Sequence, residues 1–198
     1  MKTKPINYVI GVRDGYSPVF NGNIGQVLQN EKGKEYFRRS PGVRAIIPTE
    51  TGLIFQKEKR EYLDQPWDYR LTGGKVADTL CEYLDFLEKD GSDNSGNEYL
   101  LREAIVREAK EEIGIVIERL KPFYVSPSSA TVEHDLHYYL VEEFQKGKAR
   151  PEDDERIEIV EMTYKEVFKL LLERKFSEDR TRAVLFEYLL KEKKHLIF

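Results

Sequence analysis

Short apolar pieces alternate with Gly and Asn through residues 6 to 40, with breaks at Asn21-Gly22-Asn23 and Glu31-Lys32-Gly33-Lys34. Gly and Asn suit tight turns, so the pattern predicts strands joined by turns, a small β arm over residues 1–40. Two denser apolar runs, Val43 to Ile47 and Gly52 to Gln56, flank Pro48-Thr49-Glu50-Thr51 and predict a strand pair. Trp67 to Thr72 predicts another strand, which delivers the chain to Gly73-Gly74. Leu80, Leu84 and Leu87 then recur at helical spacing inside Thr79 to Lys89, and the tract from Asp90 to Asn97 is rich in turn-forming residues. A short amphipathic helix followed by a loop is expected there.

From Glu98 to Ile113 the spacing of Leu100, Leu101, Ala104, Ile105 and Ala109 gives a helix one buried side, and Gly114 can take the positive φ that ends it. Strands are expected at Val116 to Leu120, Phe123 to Ser126, His137 to Glu142 and Ile157 to Met162. Thr163-Tyr164-Lys165-Glu166 has the capping-box pattern, in which a threonine hydroxyl and a glutamate three residues on satisfy each other's backbone N–H. It opens a helix expected to reach about Lys175, and Ser177 to Lys193 predicts another. No internal repeat is evident.

A chain of 198 residues suits one compact domain with an extra arm. A net charge of -4 provides no basic surface to displace counterions, so nucleic acid is not an expected partner. No apolar run reaches the length of a membrane span, and Tyr8 to Val12 is too short for a signal segment. Cys81 is the only cysteine, which excludes an intramolecular disulfide and a thiolate zinc site and predicts a reducing, cytoplasmic setting.

Glu108, Glu111 and Glu112 add chemistry to this picture. They stand at i, i+3 and i+4, so on a helix they share one face, where like charges repel. A solvated acidic face is the plain explanation. The chemical one is a hard divalent cation, Mg²⁺ above all with Mn²⁺ as the alternative, which prefers carboxylate oxygen and keeps positions for water and phosphate oxygens.

Arg107-Glu108-Ala109-Lys110-Glu111-Glu112-Ile113-Gly114-Ile115 resembles the second half of the Nudix box, G-x5-E-x7-R-E-U-x-E-E-x-G-U with U apolar, and Gly73-Gly74-Lys75 resembles its opening. Gly74 and Arg107 lie thirty-three residues apart where that pattern has fourteen, so residues at about 78–97 read as an insertion, expected to be a tolerated surface element with no part in catalysis, a role in specificity being left open. Glu98 lies nine residues before Arg107 where the pattern has its first glutamate eight before, and is taken as its counterpart. The run from Glu35 to Arg60 resembles the entry to the core in the subgroup that hydrolyses ADP-ribose and nucleotide sugars. Ser126-Pro127 to Glu133 and Pro66-Trp67 resemble the same subgroup, with departures in spacing and at Arg70.

This resemblance implies a Nudix α/β/α sandwich with a mixed sheet over residues 41–198, preceded by the β arm, which in that subgroup helps build a homodimer. It implies a Mg²⁺-dependent pyrophosphohydrolase acting on a nucleoside diphosphate linked to another moiety, ADP-ribose or a nucleotide sugar. Glu108, Glu111 and Glu112 are then the metal ligands, Glu111 and Glu112 with catalytic weight, and Arg107 and Glu98 orient the box. Glu155, in the acidic run before Ile157, corresponds to the subgroup's general base; a plain exposed acidic loop explains it equally. Arg60 and Arg44, with Gly74, are candidate substrate contacts, although a surface cation accounts for each arginine. Two other readings remain: a non-catalytic Nudix sensor that binds a nucleotide and regulates a partner, and a house-cleaning hydrolase of nucleoside triphosphates.

Overall fold

Residues 15–59, 67–89, 94–128, 130–149 and 157–197 are described by the computed structural model. In chain order the elements are β1 (Tyr16–Asn21), β2 (Gly25–Asn30), β3 (Glu35–Arg39), β4 (Gly42–Ile46), β5 (Gly52–Glu58), β6 (Asp68–Arg70), α1 (Leu80–Lys89) and α2 (Asn94–Ile113). Then come β7 (Ile115–Ser126), β8 (Val132–Glu133), β9 (Leu136–Lys146), β10 (Ile157–Thr163), α3 (Tyr164–Leu172), α4 (Asp179–Glu192) and α5 (Lys194–Ile197). Helices and mixed sheets place the chain in the α/β class, as expected. Two compact units form: Met1–Val43 with Lys75–Ala104 and Val125–His137, and Arg44–Gly74 with Ile105–Tyr124 and Tyr138–Phe198.

In the first unit the predicted arm strands form a sheet in the order β1-β2-β3-β8. The β1–β2 and β2–β3 pairs are antiparallel, and Gly22 N–H donates to Gly25 C=O to close the first turn. The β3–β8 pair is parallel, Phe37 opposite Val132, so the arm strands share their sheet with residues far along the chain. The Tyr36 hydroxyl donates to Glu133 at 2.6 Å and Arg38 Nε at 3.4 Å, which supplies partners for polar groups that burial would otherwise strand.

The insertion differs from the surface decoration expected of it. Thr79 and Glu82 cap α1 reciprocally, and Leu80 and Tyr83 are each only 1% exposed. The Tyr83 hydroxyl also donates to the side chain of Asn97. Burial, with the charges of Glu133 and Asp135 adding to it, pushes the Tyr83 phenol well above its usual pKa, so it stays neutral and able to donate. Of the predicted stripe, Leu80 thus belongs to the core of this unit, with Tyr83 beside it, while Leu84 and Leu87 are half-buried. Truncating Leu80→Ala is expected to cost about 2–5 kcal/mol, as for other fully buried leucines, and urea denaturation would measure it. A change within about 0.5 kcal/mol would return the segment to the surface class.

The second unit holds an antiparallel sheet, β10-β5-β6, whose register sets Gln56 opposite Ile159 on one side and Arg70 on the other. Helix α3 packs on β5 and β10. Its capping box is present as the sequence predicts, the Thr163 hydroxyl accepting from Glu166 N–H and the Glu166 carboxylate accepting from Thr163 N–H. The helix stops at Leu172 rather than Lys175, because Arg174 turns to φ 57°, a conformation no helix continues through. Helix α4 starts at Asp179 rather than Ser177: the Ser177 backbone N–H and hydroxyl both donate to the buried Asp68 carboxylate.

A third sheet has the order β4-β9-β7. Two strands were expected between Val116 and Ser126, yet β7 runs through Pro122 without a break. As an edge strand it has a side where a missing N–H breaks no ladder bond, so proline is tolerated. Arg119 and Lys121 bridge to Glu142, and Arg119 also to Glu143, which ties β7 to β9 along their solvent side.

Strand β9 carries His137, whose burial lowers its pKa to about 4. The unfolded chain therefore takes up a proton before the folded one does. Stability is whole above about pH 6.5 and is lost as pH falls toward about 4, by roughly 3 kcal/mol from this group. Denaturation midpoints measured from pH 7 to pH 4 should fall more steeply for the native chain than for a His137→Phe variant. Parallel curves would mean that other groups account for the acid sensitivity.

Candidate active site

Helix α2 begins at Asn94, four residues before the predicted start, and buries Leu101, Ala104, Ile105, Ala109 and Ile113, whereas Leu100 is only half-buried. This stripe leaves Glu108 and Glu112 half-buried one turn apart, and Glu111 exposed. At the helix end Gly114 has φ 64°, and a Cβ there would stand 2.4 Å from Ala149 N, so both conformation and space require glycine. The Gly114 carbonyl accepts from Gly147 N–H at 2.6 Å, fixing where the helix stops.

The strand leading to Gly73-Gly74 brings that turn onto the glutamates. Gly73 has φ 142°, and its N–H donates to Glu112 Oε2 at 3.1 Å. The same oxygen accepts from Gln56 Nε2 at 2.5 Å. A Cβ on Gly74 would lie 2.5 Å from Glu108 Oε1 and 2.7 Å from Oε2, so the turn touches this carboxylate only because residue 74 has no side chain. Arg107 donates to Glu108 Oε1 at 3.2 Å and has its Nε 4.0 Å from Glu111. Glu98 accepts from Arg102 at 2.7 Å, an ordinary i, i+4 helix pair.

The structure thus draws Gly73, Gly74, Arg107, Glu108 and Glu112 together and leaves Glu111 open to solvent beside Arg107. Among the described residues no three His, Cys, Asp or Glu side chains gather closely enough to hold a metal ion. The mutual repulsion of the glutamates is relieved by donors instead: an arginine for Glu108, an amide and a backbone N–H for Glu112. The donor set is nonetheless carboxylate oxygen, the chemistry of a hard divalent cation, and the missing Cβ at Gly74 keeps the turn open on Glu108. The fit to such an ion is therefore one of donor chemistry, not of present spacing.

Arg44 sits elsewhere in this scheme. It is 7% exposed, and its guanidinium donates to both oxygens of Glu178 at 3.2 Å. Burial alone would raise the Glu178 pKa; Arg44 and the Thr181 hydroxyl more than offset it, holding the carboxyl below its usual range. Thr181 in turn bonds to the Tyr138 hydroxyl at 3.1 Å, forming a buried polar chain. Arg60 and Glu155 lie outside the described residues. Gln56, which was not singled out from the sequence, has a visible signal there: it is the polar residue that ends the apolar run Gly52 to Phe55, yet it is 2% exposed.

Residues 38–184 match the family model described as the NUDIX domain. A crystal structure of an ADP compounds hydrolase superposes with a TM-score of 0.59 at 15% identity, covering 93% of this chain and 99% of the other. The solution structure of the E. coli ORF135 protein gives a TM-score of 0.50 at 20% identity, covering 77% and 91% respectively. At such identities the likeness speaks to the fold. No curated protein sequence matches the chain. With the helix from Arg107 to Gly114 closing on the Gly73-Gly74 turn inside a family match that spans most of its length, the chain belongs to the Nudix family of hydrolases.

Proposed function

We propose that the chain is a Mg²⁺-dependent pyrophosphohydrolase of a nucleoside diphosphate linked to a second moiety, ADP-ribose or a nucleotide sugar. The products are a nucleoside monophosphate and the other moiety carrying a phosphate. The observation that carries this reading is the close approach of the Gly73-Gly74 turn to Glu108 and Glu112, which sets the Gly73 backbone N–H and two carboxylates at one place. An ion bound there supplies charge against the phosphate oxygens and acidifies a water. The chain's own residues do the rest. Gly73 N–H and Gln56 hold the Glu112 carboxylate in one orientation, and Arg107 holds that of Glu108. Glu155 is proposed as the base that takes the proton of the attacking water, and Arg60 as a contact to the pyrophosphate. Arg44 is left out of direct contact, since its guanidinium is engaged by Glu178.

The arm is proposed as a dimerisation element of the 41–198 domain, supported by Val19, Phe20 and Ile24, each more than half exposed on the β1–β2 hairpin. No helix among the described residues is long and apolar enough to cross a membrane. A cytoplasmic location is proposed on the lone, exposed Cys81.

A substrate panel with Mg²⁺ tests the reading: ADP-ribose, nucleotide sugars and nucleoside triphosphates, each scored by kcat/KM and by the phosphate species released. A pocket built for two linked moieties favours the first two. Preference for the triphosphate, together with a silent Glu155→Gln, would replace this substrate class by the house-cleaning one; nucleotide binding without turnover would favour the sensor.

A further inference from the structure

We propose that Gln56 is a positioning residue for the metal-binding face, acting through Glu112; this rests on the divalent-ion reading above. Gln56 lies on β5, in the middle of a strand paired on both sides, and is 2% exposed. A buried primary amide must place its donors, and this one places Nε2 at 2.5 Å from Glu112 Oε2. Carboxylates only accept, so the nitrogen has to face Glu112 and the amide orientation is fixed by chemistry.

The choice of residue matters. Gly73 N–H reaches the same oxygen at 3.1 Å, so two neutral donors on two different segments hold Glu112 from one side. A lysine or arginine at position 56 would hold it as firmly but would bring a full positive charge beside a face meant for a cation. A glutamate would place a further negative charge within hydrogen-bond distance of Glu112. An amide orients the carboxylate without altering the net charge there. Groups that orient metal ligands in this way typically contribute tenfold to hundredfold in metal affinity.

The test uses the full chain and Mn²⁺ as the probe, with its dissociation constant read from the paramagnetic resonance signal of the free ion. Gln56→Met keeps volume and removes the donor; Gln56→Asn keeps polarity and shortens the reach. Glu112→Gln is run in parallel. Circular dichroism reports which variants fold, and either Gln56 variant suffices for the reading. The expected result is that Glu112→Gln weakens Mn²⁺ binding strongly, and that a folded Gln56 variant weakens it about tenfold or more. Turnover lost in that variant should return when Mn²⁺ is raised in proportion, with little change in KM for nucleotide, which a merely structural defect would not show. Mn²⁺ binding within twofold of the native chain in the folded Gln56 variants, with Glu112→Gln impaired, overturns the role of Gln56 alone. Unchanged binding in Glu112→Gln overturns the metal reading itself, and the proposal with it.

Discussion

Replacing Glu112 by Gln is expected to lower turnover by about a hundredfold or more while the protein stays folded, and Glu111→Gln is expected to do the same. The two residues reach this outcome by different routes. Glu112 is half-buried, and an amide in its place can still accept from Gly73 N–H and Gln56 through its carbonyl oxygen, so the packing keeps its partners. What disappears is the negative charge that holds a hard cation. The Glu111 side chain is 58% exposed and stands 4.0 Å from Arg107, a contact of the kind that contributes little to stability. Its neutralisation therefore has no structural reason to matter, which makes it the sharper of the two tests. Steady-state rates at saturating Mg²⁺, with thermal denaturation as the fold control, measure both. Near-native rates in Glu111→Gln with loss only in Glu112→Gln would confine the ligand set to the carboxylates against the Gly73-Gly74 turn. Near-native rates in both would remove the metal assignment.

The helix carrying these glutamates was legible because two periodicities coincide in it. Leu101, Ala104, Ile105 and Ala109 fix which side is buried, and that alone fixes where Glu108 and Glu112 point. Thr163 was legible for a similar reason, since a capping box is a local arrangement that needs no tertiary partner. Contacts across large sequence separations were not legible. Nothing local says that Arg44 pairs with Glu178, that Asp68 takes the N–H and hydroxyl of Ser177, or that Gln56 meets Glu112. The continuous β7 was missed because Pro122 ordinarily ends a strand, and only its edge position in the sheet makes it harmless. The anchors of the insertion were not legible in its length. Loop closure is cheap, as argued from the sequence, but Leu80 and Tyr83 are core residues and their burial is a separate, larger contribution.

Gly74→Ala should separate folding from chemistry more cleanly than any charge change. The new methyl group would start 2.5 Å from Glu108 Oε1, inside any allowed contact, so something has to move. The nearest atoms it meets all belong to the Glu108 carboxyl group, the far end of a flexible side chain, and that is what yields first. Stability is then expected to change by about 1 kcal/mol or less, the scale of swinging one half-buried side chain to another rotamer. Turnover is expected to fall at least about tenfold, because a ligand displaced by a few tenths of an ångström is held out of its working geometry. The pattern that checks this is a near-native denaturation midpoint beside weakened Mn²⁺ binding and reduced kcat. Equal losses of stability and activity would mean instead that the turn itself distorts, with Gly73 N–H pulled away from Glu112. Full activity would show that Glu108 has no part in the chemistry and that the missing Cβ at residue 74 serves packing alone.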